Sequence, residues 1–136
     1  MTHRVAAFAM AATLALTPVV SAPVQADDTR DHAGTVQAHV DAYRARNLDA
    51  FVATFAPDAL VVANGIPARG HAQIRNFYAA NFAPGAPNLR ITASYMEGGR
   101  LFLETSFVMA DGSELCCSQA FYTVENGLIT RLDVSN

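Results

Sequence analysis

The chain is 136 residues long, with nine Arg, no Lys, twelve acidic residues and a formal net charge of −3. Mild acidity without a basic cluster gives no electrostatic footprint for nucleic acid, so no such partner is expected. The only cysteines, Cys116 and Cys117, are adjacent and the histidines lack ligand spacing, so neither a metal nor a cofactor is expected.

At the N-terminus Arg4 precedes an uncharged stretch from Val5 to Ala26, apolar up to Val20 and then reading SAPVQA. Val24 and Ala26 place small side chains where a signal peptidase reads, which predicts an export signal over residues 1–26, cleaved after Ala26. The rival is an uncleaved anchor, since the span could cross a bilayer core of roughly 30 Å. Pro18, Pro23 and the switch to Asp27-Asp28 favour cleavage, with no stable membrane anchor afterwards and a destination in the periplasm or the medium. Removing that segment, which carries one Arg and no acid, leaves 110 residues and a net charge of −4. That length suits one domain, expected over 35–136, with 27–34 loosely ordered ahead of it.

From Thr35 to Arg46, Val36, Val40 and Tyr43 recur at helical spacing with Asp41, Arg44 and Arg46 turned away. Asn47 and Asp49 can start a second helix whose stripe is Leu48, Phe51, Val52 and Phe55 and which Pro57 stops. Asp49 and Asp58 read as capping or turn residues. The apolar run Ala59–Ala63 predicts a strand, followed by a turn region marked by Asn64-Gly65, Pro67 and Gly70. A third helix spans about His71 to Phe82, with Ile74, Phe77, Tyr78 and Phe82 inward, until APGAP ends it.

Beyond Pro87 the period becomes two. Leu89, Ile91, Ala93 and Tyr95 alternate, Gly98-Gly99 turns the chain, and Leu101, Leu103, Thr105, Phe107 and Met109 alternate again. Asp111-Gly112 and Asn126-Gly127 are hairpin signals bounding a strand from Glu114 to Val124, and Leu128–Val134 closes the sheet. Three helices followed by antiparallel strands predict an α+β fold with helices covering one face of the sheet. Adjacent cysteines on a strand point to opposite faces, so two buried reduced thiols are expected, with an intermolecular bridge through an exposed Cys as the alternative.

The segments RARNLDAFVATFAPDALVV, RGHAQIRNFYAANF and VENGLITRLDV resemble, in order and spacing, those of SnoaL-like proteins in the nuclear transport factor 2-like (NTF2-like) superfamily. The resemblance implies a cone: three N-terminal helices packed on a curved antiparallel sheet, an apolar cavity at the wide end, and often a homodimer formed through the sheet. It does not imply one activity, because unrelated chemistries share the scaffold. Ketosteroid isomerases within the superfamily use a carboxylate base, and a tyrosine with a protonated aspartic acid as oxyanion donors. Aligned on the resemblance, those positions hold Ala63, His39 and Gln119, so that chemistry is not retained. Polyketide cyclases use an aspartate, but alternation with Leu132 and Val134 turns Asp133 to the opposite face.

Six residues are candidates for the cavity. His39, on the Val36/Val40/Tyr43 face, is the candidate proton carrier, or a histidine satisfied at the edge of the stripe. Tyr43, one turn on, could donate to a ligand carbonyl or be a core residue with its hydroxyl at the rim. Gln119 alternates with Leu115, Cys117 and Phe121 and could hold a ligand or an internal hydrogen bond. Asn64 could reach the cavity mouth or simply form a turn, and Phe107 and Leu132 complete the expected lining. With no carboxylate on the inward faces, the expected function is binding of a small apolar molecule in the cone. The alternatives are an isomerase, cyclase or dehydratase using His39 with Tyr43 or Gln119, and a structural domain acting through its homodimer.

Overall fold

The structure is a computed structural model that describes residues 24–136, with side chains from residue 30. Apart from its last residues, the expected export signal lies outside the described residues. Helix α1 (Val24–Arg44) is followed by α2 (Leu48–Ala53), β1 (Phe55–Ala63), β2 (Ile66–Arg69) and α3 (Gly70–Tyr78), which continues as a 3-10 turn over Ala79–Phe82. Four long strands complete the fold: β3 (Asn88–Glu97), β4 (Arg100–Val108), β5 (Glu114–Glu125) and β6 (Leu128–Ser135). No described helix is long and apolar enough to cross a membrane.

The strands form one sheet in the order β2-β1-β6-β5-β4-β3. It is mixed, which corrects the antiparallel expectation: β1 runs parallel to β6, and every other neighbour is antiparallel. A parallel pair needs a long crossover, and here α3 and four strands intervene before β6 inserts between β1 and β5. Register shifts interrupt β1/β6, β3/β4, β4/β5 and β5/β6. Such irregularities bend strands and increase twist, which curves the sheet around the helices. α1 lies across β3 to β6, while α3 packs on β1 and β2.

Local chemistry explains most boundaries. Asn47 caps α2 by accepting from the Ala50 N–H at 3.0 Å. Asn64-Gly65, Gly98-Gly99 and Asn126-Gly127 have positive φ at both central residues, as tight type I′ hairpins require. Gly70, at φ +78°, turns the chain from β2 into α3, and a Cβ there would sit 3.3 Å from the Pro57 carbonyl oxygen.

Residues 27–34 lie within α1, where buried His32 accepts the Val124 backbone N–H at 3.1 Å and ties this turn to β5. Three expectations are corrected. Phe55 is buried as expected, but it opens β1, because a final apolar residue four after Phe51 fits a helix or the next strand equally. Pro57 is tolerated within β1 where the ladder to β6 is interrupted, and Pro67 sits on edge strand β2. The cysteines are not both buried: Cys116 is exposed and Cys117 half-buried. They occupy the bulge where β5 slips against β4, beyond the end of β6 pairing at Gln119, so regular alternation does not apply.

Candidate functional site

The helices and the concave face of the sheet enclose a cavity of about 280 Å³. α1 supplies His39 and Tyr43 one turn apart, β1 supplies Ala63, and the turn after it supplies Asn64. Phe107 comes from β4 and Leu132 from β6, so five of the six sequence candidates meet here. Leu132 is buried, Phe107 half-buried, and exposed Asn64 marks the mouth, where its Oδ1 accepts the Asn136 N–H at 3.0 Å.

Gln119 is the exception. It is exposed on the opposite face, in register with Glu104 and Ser135. The buried members of β5 are Ser118, Ala120, Tyr122 and Val124, so the inner row is the one that looked less apolar. Phe121, whose bulk suggested an inward face, instead packs on Phe102 outside, 5.1 Å between ring centroids. Asp133 also faces outward, bonded to Arg100 and Arg131, as alternation implied.

His39 is 4 % exposed and held by rings: Phe51 lies 4.2 Å away, Phe55 and Tyr122 present edges at 5.2 and 5.3 Å. Burial pulls its pKa from 6.5 down to about 3, so the imidazole is neutral at physiological pH. Protonating it in place costs on the order of 5 kcal/mol relative to a solvated histidine, which makes it a poor proton carrier. Its Nδ1 lies 3.0 Å from the Thr54 hydroxyl.

Three phenols line the same cavity. The Tyr43 oxygen accepts from Asn81 Nδ2 at 3.3 Å. Tyr78 and Tyr122 are buried, and desolvation raises both pKa values well above the usual phenol range, reinforced by repulsion from Tyr43 and Tyr78 respectively. They therefore stay protonated and able to donate. Across the cavity Thr105 and Ser118 are register partners on β4 and β5, each 6 % exposed. Among the described residues the hydroxyls of Tyr78, Tyr122, Thr105 and Ser118 make no side-chain hydrogen bond to protein. No fully buried side-chain polar atom of the described residues lacks a partner, so these four open onto the cavity space.

Sequence reasoning missed Thr105, Ser118 and Tyr122 as site residues. The available signal was Thr105, a lone hydroxyl in the row Leu101, Leu103, Thr105, Phe107; its cross-strand partner could not be named without the register. No Asp or Glu lines the cavity among the described residues. No group of three His, Cys, Asp or Glu among them could hold a metal. His71 is used elsewhere, donating Nε2–H to the Phe55 carbonyl at 2.8 Å.

No curated protein matches the chain. Among solved structures, one provisionally described as a polyketide cyclase from Sinorhizobium meliloti is 24% identical, with TM-score 0.65, covering 74% of this chain and 93% of the other. Another, provisionally described as a ketosteroid isomerase from Kribbella flavida, is 21% identical with TM-score 0.68, covering 79% and 78%. An NTF2-like protein of unknown function from Mesorhizobium loti is 16% identical with TM-score 0.68, covering 80% and 93%. At these identities the likeness shows the shared fold alone. The model of the SnoaL-like domain matches residues 36–132, nearly the whole of the folded unit, and the chain belongs to that family.

Proposed function

We propose that the protein binds a small, neutral, largely apolar molecule in its cone cavity and does not catalyse ketosteroid isomerisation. The observation that carries this reading is the neutrality of the lining side chains: a histidine kept uncharged by burial, protonated phenols and free hydroxyls, with no Asp or Glu among the described lining residues. Such a wall orients a ligand through hydrogen bonds and offers no base matched to proton abstraction at neutral pH. At about 280 Å³ the space is at the lower end of ligand pockets, which run from roughly 300 to 1,000 Å³, and suits a compact one- or two-ring molecule.

The neighbours' names point to the alternative, an isomerase or cyclase. At the positions such chemistry would use, this chain has buried His39, and Ala63 where a base would stand. Native mass spectrometry of gently purified protein tests the reading: a co-purifying neutral small molecule is expected. Robust conversion of a β,γ-unsaturated ketosteroid, abolished in His39→Ala, would overturn it.

The same reading includes a homodimer through the outer face of the sheet and export of the mature chain. The outer face carries an aromatic row, Tyr95, Phe102 and Phe121, with ring centroids 4.6 and 5.1 Å apart. An aromatic strip on an otherwise uncovered sheet face is the composition a self-associating surface needs.

A further inference from the structure

The cavity's polar groups are not equivalent, and a hydrogen-bond chain on α2 decides what one of them can do. The Thr54 hydroxyl lies 2.6 Å from the Phe51 carbonyl oxygen and 3.0 Å from His39 Nδ1. A hydroxyl has one proton. The carbonyl can only accept, and two oxygens 2.6 Å apart without a proton between them would repel, so the Thr54 proton lies toward Phe51. Thr54 Oγ1 is then left as an acceptor, and it must take its hydrogen bond from an N–H at Nδ1 of His39.

Because the ring is neutral, it carries a proton on one nitrogen only, and the other is an acceptor. Among the described residues Nε2 has no hydrogen-bond partner, and His39 lines the cavity. The wall therefore presents one acceptor nitrogen among the donor-capable hydroxyls of Tyr78, Tyr122, Thr105 and Ser118.

We propose that Thr54 is a positioning residue that fixes His39 as the Nδ1–H tautomer, so that the site selects ring molecules carrying both an O–H donor and an oxygen acceptor. The O–H, phenolic or enolic, meets Nε2, and the acceptor meets the hydroxyls of β4 and β5 or a tyrosine. This rests on the binding reading above and narrows it to a ligand class. A site built to pair a ligand O–H discriminates strongly against an analogue lacking that proton, because its own polar atom is left unpaired.

The test uses 2-naphthol, 2-methoxynaphthalene and naphthalene as probes, titrated calorimetrically into the full mature chain. The wild type should bind 2-naphthol about tenfold more tightly than the methyl ether, the size expected of one good hydrogen bond. Thr54→Val should reduce that preference to about twofold or less, and Thr54→Ser should restore it. Binding of all three probes without preference would sink the tautomer proposal and leave the binding reading standing, whereas no binding of any probe would sink both. If Thr54→Val fails to fold, nitrogen-15 NMR of wild-type imidazoles decides. A protonated-type Nδ1 and a lone-pair-type Nε2 are expected for His39, assigned against His39→Gln, and the reverse pattern would overturn the proposal.

Discussion

The two faces of β5 make opposite use of polarity. Inward, Ser118, Ala120, Tyr122 and Val124 are buried, and the hydroxyls of Ser118 and Tyr122 are left to the cavity. Outward, Gln119, Phe121 and Thr123 adjoin a charged network in which every group is matched. Arg100 bonds Asp133, the Phe121 carbonyl at 3.1 Å and Thr123 at 3.2 Å, and stacks 5.3 Å from the centre of the Phe121 ring. The hydrogen bond from Arg131, with help from Arg100, holds the Asp133 carboxyl below its usual range against desolvation. Charge sits where water can reach it, and the enclosed side is built from groups that stay neutral, since an isolated buried charge is far more costly than a paired half-exposed one.

Acid tests this contrast most severely. His39 has a folded-state pKa of about 3 against 6.5 unfolded, so below pH 6.5 the unfolded chain takes up a proton that the native state refuses. Stability should fall as pH drops from 6.5 toward 3, by up to about 1.4 kcal/mol per unit and on the order of 5 kcal/mol in all. Asp133 adds a further loss that begins as pH falls through 3.8, where the unfolded carboxyl takes up its proton, and is complete below its depressed folded value. Urea unfolding at a series of pH values should show the upper part of this slope vanish in His39→Gln. A slope unchanged in that variant would mean that the imidazole is not desolvated.

The outer face is tested by charge. Phe121→Glu places an acid in the aromatic row between Phe102 and Asp133 without touching the cavity. If this face is the dimer surface, loss of a central aromatic costs about 2 kcal/mol or more and weakens association at least thirtyfold. Light scattering should then report a monomer, while probe binding is unchanged. A variant still dimeric at micromolar concentration would move the interface elsewhere.

A smaller effect is expected where the roof of the cavity joins the sheet. Gly70→Ala puts a Cβ at φ +78° and 3.3 Å from the Pro57 oxygen, and backbone cannot yield as a flexible side chain can. The left-handed conformation alone costs an L-residue about 1–2 kcal/mol. Thermal unfolding should show that loss, with ligand selectivity intact.

How far the sequence reveals these features depends on the range of the interactions behind them. Hairpin turns at Asn64-Gly65, Gly98-Gly99 and Asn126-Gly127 are local, and each lies where its residues predict. The α1 stripe carries His39 and Tyr43 to the cavity wall, because a helix face is fixed by period alone. Gln119 went astray because a strand offers two faces, and here each carries aromatic bulk, Tyr122 within and Phe121 outside. Tyr95 was displaced for a related reason: the irregularity between Ile91 and Ala93 carries it to the outer face, onto Phe102. The Thr54–His39 contact joins residues 15 apart through α2 and is invisible to any periodic pattern.

The finest test compares neighbours on one strand. Ser118→Ala removes a hydroxyl that opens onto the cavity and has no side-chain hydrogen bond among the described residues, so stability should change by less than about 0.5 kcal/mol. Affinity for an oxygen-bearing probe should fall by up to about tenfold, the worth of one hydrogen bond. Gln119→Ala, one residue on but facing outward, should change stability by no more than about 0.5 kcal/mol and leave probe binding alone. Parallel thermal melts and 2-naphthol titrations of the two variants measure all four quantities. If Gln119→Ala weakened the probe and Ser118→Ala did not, the register of β5 against β4 would have to shift by one residue. That slip would exchange every inner and outer assignment on the strand.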